Sequence, residues 1–184
     1  MKKQKQVILF LIFTLAVPAI GYISFGIVTA LIFLAGFLGG YILWLLTPNT
    51  VSFKSIKFWY WLTFFFFIIH RVEENVMKFQ EELSKITGVP VPEVSSIPLI
   101  VLLILTVVAW LVAPYLIKRG YAFGYYIAWT FFASMGITEL AHFVFPLFTS
   151  ESYRYFPGML SVLLLAPTAW YGMFKFSRRR IEQN

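Results

Sequence analysis

The chain has 184 residues, 60 % of them hydrophobic and only 12 % charged, with a formal net charge of +7 and no cysteine. A soluble domain of this length cannot cover so much apolar surface, and without cysteine there are no disulfides, thiolate metal sites or thiol nucleophiles. The positive charge does not point to nucleic acid, because it falls in short clusters between apolar blocks.

Residues 7–46 contain no charged side chain. About 20 apolar residues already span a bilayer core as a helix, so this block predicts two helices, near 6–22 and 25–46, with Pro18, Gly21 and Gly26 offering turns. The opening MKKQKQVILFLIF is similar to a signal peptide. Its apolar run is too long for one, which predicts a retained first helix. In GFLGG, Gly36 and Gly40 have the spacing that lets helices approach closely in lipid, either within the chain or against a second chain in a homo-oligomer.

The third helix is expected over 58–83, entered through Trp59, Tyr60 and Trp61 beside Lys54 and Lys57 as an aromatic belt at the membrane interface. TGVPVPEVSS reads as an external loop stiffened by Pro90 and Pro92. The fourth helix is expected over 97–117, kinked or ended by Pro114, and the fifth over 121–148. The sixth covers 157–176, with Pro157 in its first turn and Pro167 as a kink. The fold class is therefore all-α: a single domain over 1–184, a polytopic membrane bundle of about six transmembrane helices. Lys2, Lys3 and Lys5, then Lys54 and Lys57, then Lys118 and Arg119, then Lys175 and Arg178 to Arg180 occupy alternate connections. The positive-inside rule then places both termini in the cytoplasm of a multi-pass cell-membrane protein.

Against this apolar background one polar pattern stands out. His70, Glu73, Glu74 and Met77 are spaced i, i+3, i+4, i+7 on the third helix and share a face. Glu139 and His142 are spaced i, i+3 on the fifth. His70 lies roughly 18 Å and Glu139 roughly 27 Å along helices that both run outward, so both pairs fall in the outer half of the bilayer and can meet. These are the only two histidines in the chain, and each stands beside glutamate. Ionisable groups inside a membrane are costly, and they pair, line water or bind something. Imidazoles with carboxylates suit a divalent metal, zinc or iron, with His70, Glu73, Glu74, Glu139 and His142 as candidate ligands. Facing helices with glutamate and histidine at i, i+3 also resemble carboxylate-bridged bundle sites.

A plainer reading stands beside it. Glu73, Glu74, Glu81 and Glu82 can form a solvated helix end neutralised by Arg71 and Lys78, with Glu139 and His142 a local packing pair. Arg154, Tyr153 and Tyr155 lie in the last external loop, as a gate, a site for an anionic head group or interface anchors. Ser134 and Thr138 are expected to bond back to their own helix, and Trp110, Trp129 and Trp170 to serve packing or lipid contact.

HRVEE, residues 70–74, resembles the signature of the HXXEE-motif family of small bacterial integral membrane proteins. ELAHFVFP and the following YRYFPGMLSVLLLAP are similar to that family's second histidine segment and its Tyr-x-Pro-Gly turn, here His142, Tyr155, Pro157 and Gly158. The resemblance covers roughly 58–176. It implies a site at His70, Glu73, Glu74 and His142 without naming a reaction.

Three functions fit these residues. The first is a membrane-embedded metal enzyme that hydrolyses or oxidises a lipid-like substrate entering from the bilayer, with Glu73 or Glu74 as general base under hydrolysis. The second is a metal-free isomerase or cyclase in which His and Glu shuttle protons. The third is a non-enzymatic carrier of ions, or of haem held between His70 and His142. Metal content separates the first two, and a Soret band marks haem.

Overall fold

The computed structural model describes residues 2–93 and 95–178, and every regular element among them is helical. In chain order these are α1 (Gln4–Leu46), α2 (Phe53–Val76), α3 (Phe79–Thr87), α4 (Ile97–Lys118), α5 (Ala122–Gly136), two 3₁₀ segments (Thr138–Phe143 and Phe145–Phe148) and α6 (Met159–Ser177). Arg179 and Arg180 of the last basic cluster lie outside the described residues.

α1 is a hairpin. Gly26 alone leaves helical geometry, at φ 79° and ψ −176°, a region in which L side chains are strained. The two arms fold back on each other: the Phe10 and Trp44 rings are 4.8 Å apart, and the Tyr41 hydroxyl donates to the Val7 carbonyl at 3.1 Å. In an unbroken helix those last two residues would be about 50 Å apart. The turn is thus at Gly26, while Pro18 and Gly21 stay inside the first arm. Gly36 and Gly40 are used within the chain. A Cβ at Gly40 would come 2.5 Å from the Thr130 nitrogen, and one at Gly36 would meet Ser134, so only glycine lets this arm seat on α5.

α5 is the centre of the bundle, with every residue from Gly124 to Gly136 buried. A helix that is apolar on all sides has to be enclosed; α1, α4 and α6 pack around it, and α2 packs along α6. Trp110 and Trp129 are buried in this core, while Trp170 is about half exposed. Three helices, Gln4–Leu46, Ile97–Lys118 and Met159–Ser177, are long and apolar enough to cross a membrane. Their outward side chains, among them Ile12, Ile23, Ile97, Leu105 and Leu160, are exposed and apolar, which suggests membrane association.

The boundaries depart from expectation in four places. α2 starts at Phe53, where the Ser52 side chain accepts the Lys54 N–H at 3.3 Å, and it ends at Val76 rather than continuing to 83. Lys78 adopts the left-handed conformation (φ 59°) and re-aims the chain into α3. That conformation costs a non-glycine residue about 1–2 kcal/mol. Burying Phe79 and Leu83 on the new helix returns about 1.5–3 kcal/mol each, so the turn wins.

The expected helix over 121–148 stops at Gly136. Its final carbonyl accepts the Trp170 Nε1–H at 2.5 Å, and Pro146 lacks the N–H that a continuing α-helix needs. The chain proceeds instead as 3₁₀ turns. α4 contains a π-helical turn at Val101–Leu105 and runs through Pro114. α6 begins at Met159, so Pro157 lies outside it and Gly158, at φ 96°, is the capping residue.

Candidate metal centre

Four side chains from two elements converge. α2 supplies His70 and Glu74, one helical turn apart; the first 3₁₀ segment supplies Glu139 and His142. In a 3₁₀ helix residues i and i+3 eclipse, so losing α-geometry after Gly136 aligns this pair more closely than the expected α-helix would. His70 Nε2 lies 3.1 Å from Glu139 Oε2 and 3.6 Å from Glu74 Oε1. His142 Nε2 lies 3.3 Å from Glu139 Oε2 and 3.4 Å from Glu74 Oε1. Imidazole and carboxylate therefore alternate around a ring, and one ligand atom from each residue lies within 4.8 Å of all the others. His70, Glu74 and His142 are buried and Glu139 is half-buried.

The far side of each imidazole fixes its tautomer. His142 Nδ1 is 2.5 Å from the Pro157 carbonyl oxygen, which can only accept, so the proton is on Nδ1. His70 Nδ1 is 2.8 Å from Ser161 Oγ. That hydroxyl donates to the Gly158 carbonyl at 3.2 Å, leaving its lone pair for the His70 Nδ1–H. In its neutral form each ring turns an Nε2 lone pair toward the centre, where two carboxylate oxygens also point. Four acceptors facing one another repel unless a cation or added protons lie between them.

The donor set and spacing fit a metal. The four contacts around the ring run from 3.1 to 3.6 Å and all four ligand atoms lie within 4.8 Å of one another, close enough to share one ion. Outer hydrogen bonds that fix the histidine tautomer are what metal-ligating imidazoles require. The residues that would hold the ion are His70, Glu74, Glu139 and His142. Arg71 Nη1 sits 2.5 Å from Glu74 Oε2 as an ion pair, yet off the hydrogen-bonding direction, and Oε2 has no hydrogen-bond partner.

Glu73 is not part of this convergence. Its carboxylate accepts the Leu160 and Ser161 backbone N–H groups at 3.1 and 2.7 Å and the Tyr155 hydroxyl at 2.5 Å. It thus caps the N-terminus of α6, where backbone donors are otherwise unpaired. Burial and the adjacent Glu73 carboxylate push the Tyr155 hydroxyl up to about 12, so it remains a donor at neutral pH. Glu73 pins to α2 the same turn whose Pro157 carbonyl and Ser161 hydroxyl orient the two imidazoles.

Gly158 completes that turn: a Cβ there would stand 2.5 Å from His142 Cε1 and 2.9 Å from His70 Cε1. Ser161 is the residue that sequence reasoning missed, and its signal is a lone hydroxyl in the apolar run MLSVLLL. Among the residues weighed less heavily, Arg154 pairs with Glu151 at 2.7 Å and with Glu82 at 3.6 Å. The Thr138 hydroxyl reaches across to the Ile32 carbonyl at 3.4 Å rather than bonding back to its own helix.

Proteins of unknown function with the HXXEE motif match residues 61–171. The chain belongs to this HXXEE family. The matched region contains the motif itself, His70 to Glu74, together with Glu139, His142, the Pro157–Gly158 turn and Ser161. No curated protein and no solved structure matches the chain.

Proposed function

We propose that this HXXEE protein is a multi-pass membrane enzyme, both termini cytoplasmic, that holds one divalent metal, zinc or iron, on His70, Glu74, Glu139 and His142 and acts on a lipid-like substrate. The observation that carries the reading is the convergence of two Nε2 lone pairs and two carboxylate oxygens with both Nδ1–H groups bonded outward. A bound ion would supply Lewis-acid activation of water or dioxygen, for hydrolysis or oxidation. The chain's residues do the rest. Pro157 and Ser161 hold the rings, Glu73 fixes the turn that carries them, and the Arg71 guanidinium offsets part of the buried negative charge. A cavity of about 300 Å³, lined largely by apolar side chains, opens against Glu74, Glu139 and His142 and supports delivery of a hydrocarbon chain with little water.

Elemental analysis of the detergent-purified protein tests this. The expected result is about one zinc or iron per chain, lost in His70→Ala and His142→Ala. A metal-free, active wild type would overturn it and favour the second reading, proton transfer by His and Glu. The existing 3.1 Å contact between His70 and Glu139 favours that alternative, because a shared proton can also close the ring. Haem between the histidines does not fit: the rings are 4.8 Å apart, edge to face, with the two carboxylates between them, and a porphyrin plate has no room.

A further inference from the structure

The cavity beside the four-residue centre lies between the second arm of α1, α3, α4 and the start of the 3₁₀ chain. Glu74, Glu139 and His142 line it, whereas His70 is not among the lining residues and is fully buried. The centre therefore presents one side to the cavity and has its imidazole supports, Pro157 and Ser161, on the other. A catalytic metal needs a ligand position for water or substrate; with four protein ligands that position would be a fifth one, on the cavity side. Away from the centre the walls are apolar, with Ile32, Phe33, Leu99, Leu102, Leu103 and Met135 among them. Leu102 and Leu103 come from the π-helical turn Val101–Leu105, an irregularity frequent at functional sites.

Volume and charge restrict the occupant. About 300 Å³, at about 30 Å³ per non-hydrogen atom as in liquid water, accommodates at least roughly ten such atoms. One chain segment with its head fits. The charged groups lining the cavity are Arg71, Glu74 and Glu139, a sum of −1 with His142 neutral. A divalent ion in the centre turns this to +1. Buried net charge is costly, so the loaded centre favours a monoanionic oxygen head and the empty one rejects it.

Resting on the metal reading above, we infer that the cavity binds a single-chain lipid with a carboxylate head, the head toward Glu139 and His142 and the first eight or so carbons among Ile32, Leu102, Leu103 and Met135. The opposite head chemistry, an uncharged alcohol, is an outcome of the test.

The experiment uses the full-length protein in detergent with a photoactivatable diazirine fatty acid, followed by peptide mass spectrometry and metal analysis of the same sample. Label is expected on Ile32, Leu102, Leu103 or Met135, displaced by decanoate but not by decanol or phosphatidylcholine vesicles. Chelation should weaken it roughly ten-thousandfold, the size of a two-unit change in charge at about 6 Å in an effective dielectric of about 20. Leu102→Trp, which fills the cavity, should abolish the label while keeping the metal. Leu103→Phe, at a half-buried position, is the milder version should Leu102→Trp not fold.

Label confined to outward faces of a metal-loaded protein overturns the inference and leaves the metal reading standing. So does displacement by decanol as effective as by decanoate, or undiminished label in a metal-retaining cavity-filled variant. A wild type without metal overturns the metal reading, and cavity labelling in that sample overturns the charge argument as well.

Discussion

The two adjacent glutamates of the motif should fail in different ways. Glu73 accepts two backbone N–H groups of α6 and the Tyr155 hydroxyl. Hydrogen bonds to a charged group contribute about 1.5–3 kcal/mol each when buried. Glu73 is only half-buried, so Glu73→Ala should destabilise the fold by about 2–4 kcal/mol. The same change frees the turn that holds His70 and His142, and loss of outer support typically weakens metal affinity about 10–100-fold. Full stoichiometry should return at excess metal, because all four ligands remain.

Glu74→Ala should behave in reverse. It removes a ligand, so stoichiometric metal is not recovered. In chelated protein it relieves the crowding of four acceptors and leaves the unfolding temperature unchanged or raised. Chelator competition for affinity, elemental analysis for stoichiometry and thermal unfolding with and without metal read all three effects. If Glu73→Ala loses stoichiometric metal while Glu74→Ala keeps it, the assignment of the two side chains is wrong.

Two further outcomes follow from the Tyr155–Ser161 turn. Gly158→Ala places a methyl 2.5 Å from His142 Cε1 and 2.9 Å from His70 Cε1, in a backbone region that costs an L residue about 1–2 kcal/mol. The rings must shift, and disturbing the support of metal-ligating imidazoles typically costs about 10–100-fold in affinity; chelator competition should show the loss, and wild-type affinity would contradict it. The Tyr155 hydroxyl is raised in the folded protein to about 12, above the ordinary value of about 10. Its stabilising bond to Glu73 is therefore fully present below pH of about 10 and is lost as pH rises through about 12. The tyrosinate absorbance of wild type minus Tyr155→Phe should show that late transition, and a midpoint near 10 would mean that the bond is not made.

Much of the bundle was legible because its signals are local. Charge-free runs of bilayer length mark α1, α4 and α6, and Gly26 alone turns the first two arms into a hairpin. The misplaced ends share a different cause. Nothing in VMKFQ forbids helix, yet Lys78 turns left-handed because Phe79 and Leu83 find a buried seat beside His142. Likewise α5 stops where the Trp170 indole, from a helix 34 positions further on, takes the Gly136 carbonyl. Tertiary partners set both boundaries, and no window of neighbouring residues contains them.

The site divides along the same line. On a helix successive residues are about 100° apart, so with His70 at zero, Glu73 falls near −60° and Glu74 near +40°. Both flank the histidine closely enough to share its face, and spacing alone therefore counts both as ligands. What separates them is the neighbour that each side meets. On one side the 3₁₀ segment brings Glu139 and His142, and Glu74 closes the ring with them. On the other, the unpaired N–H groups at the start of α6 claim Glu73. Paired glutamates after the histidine thus do two jobs with one helix turn: one carboxylate faces the centre, and its neighbour anchors the turn that keeps both imidazoles aimed there.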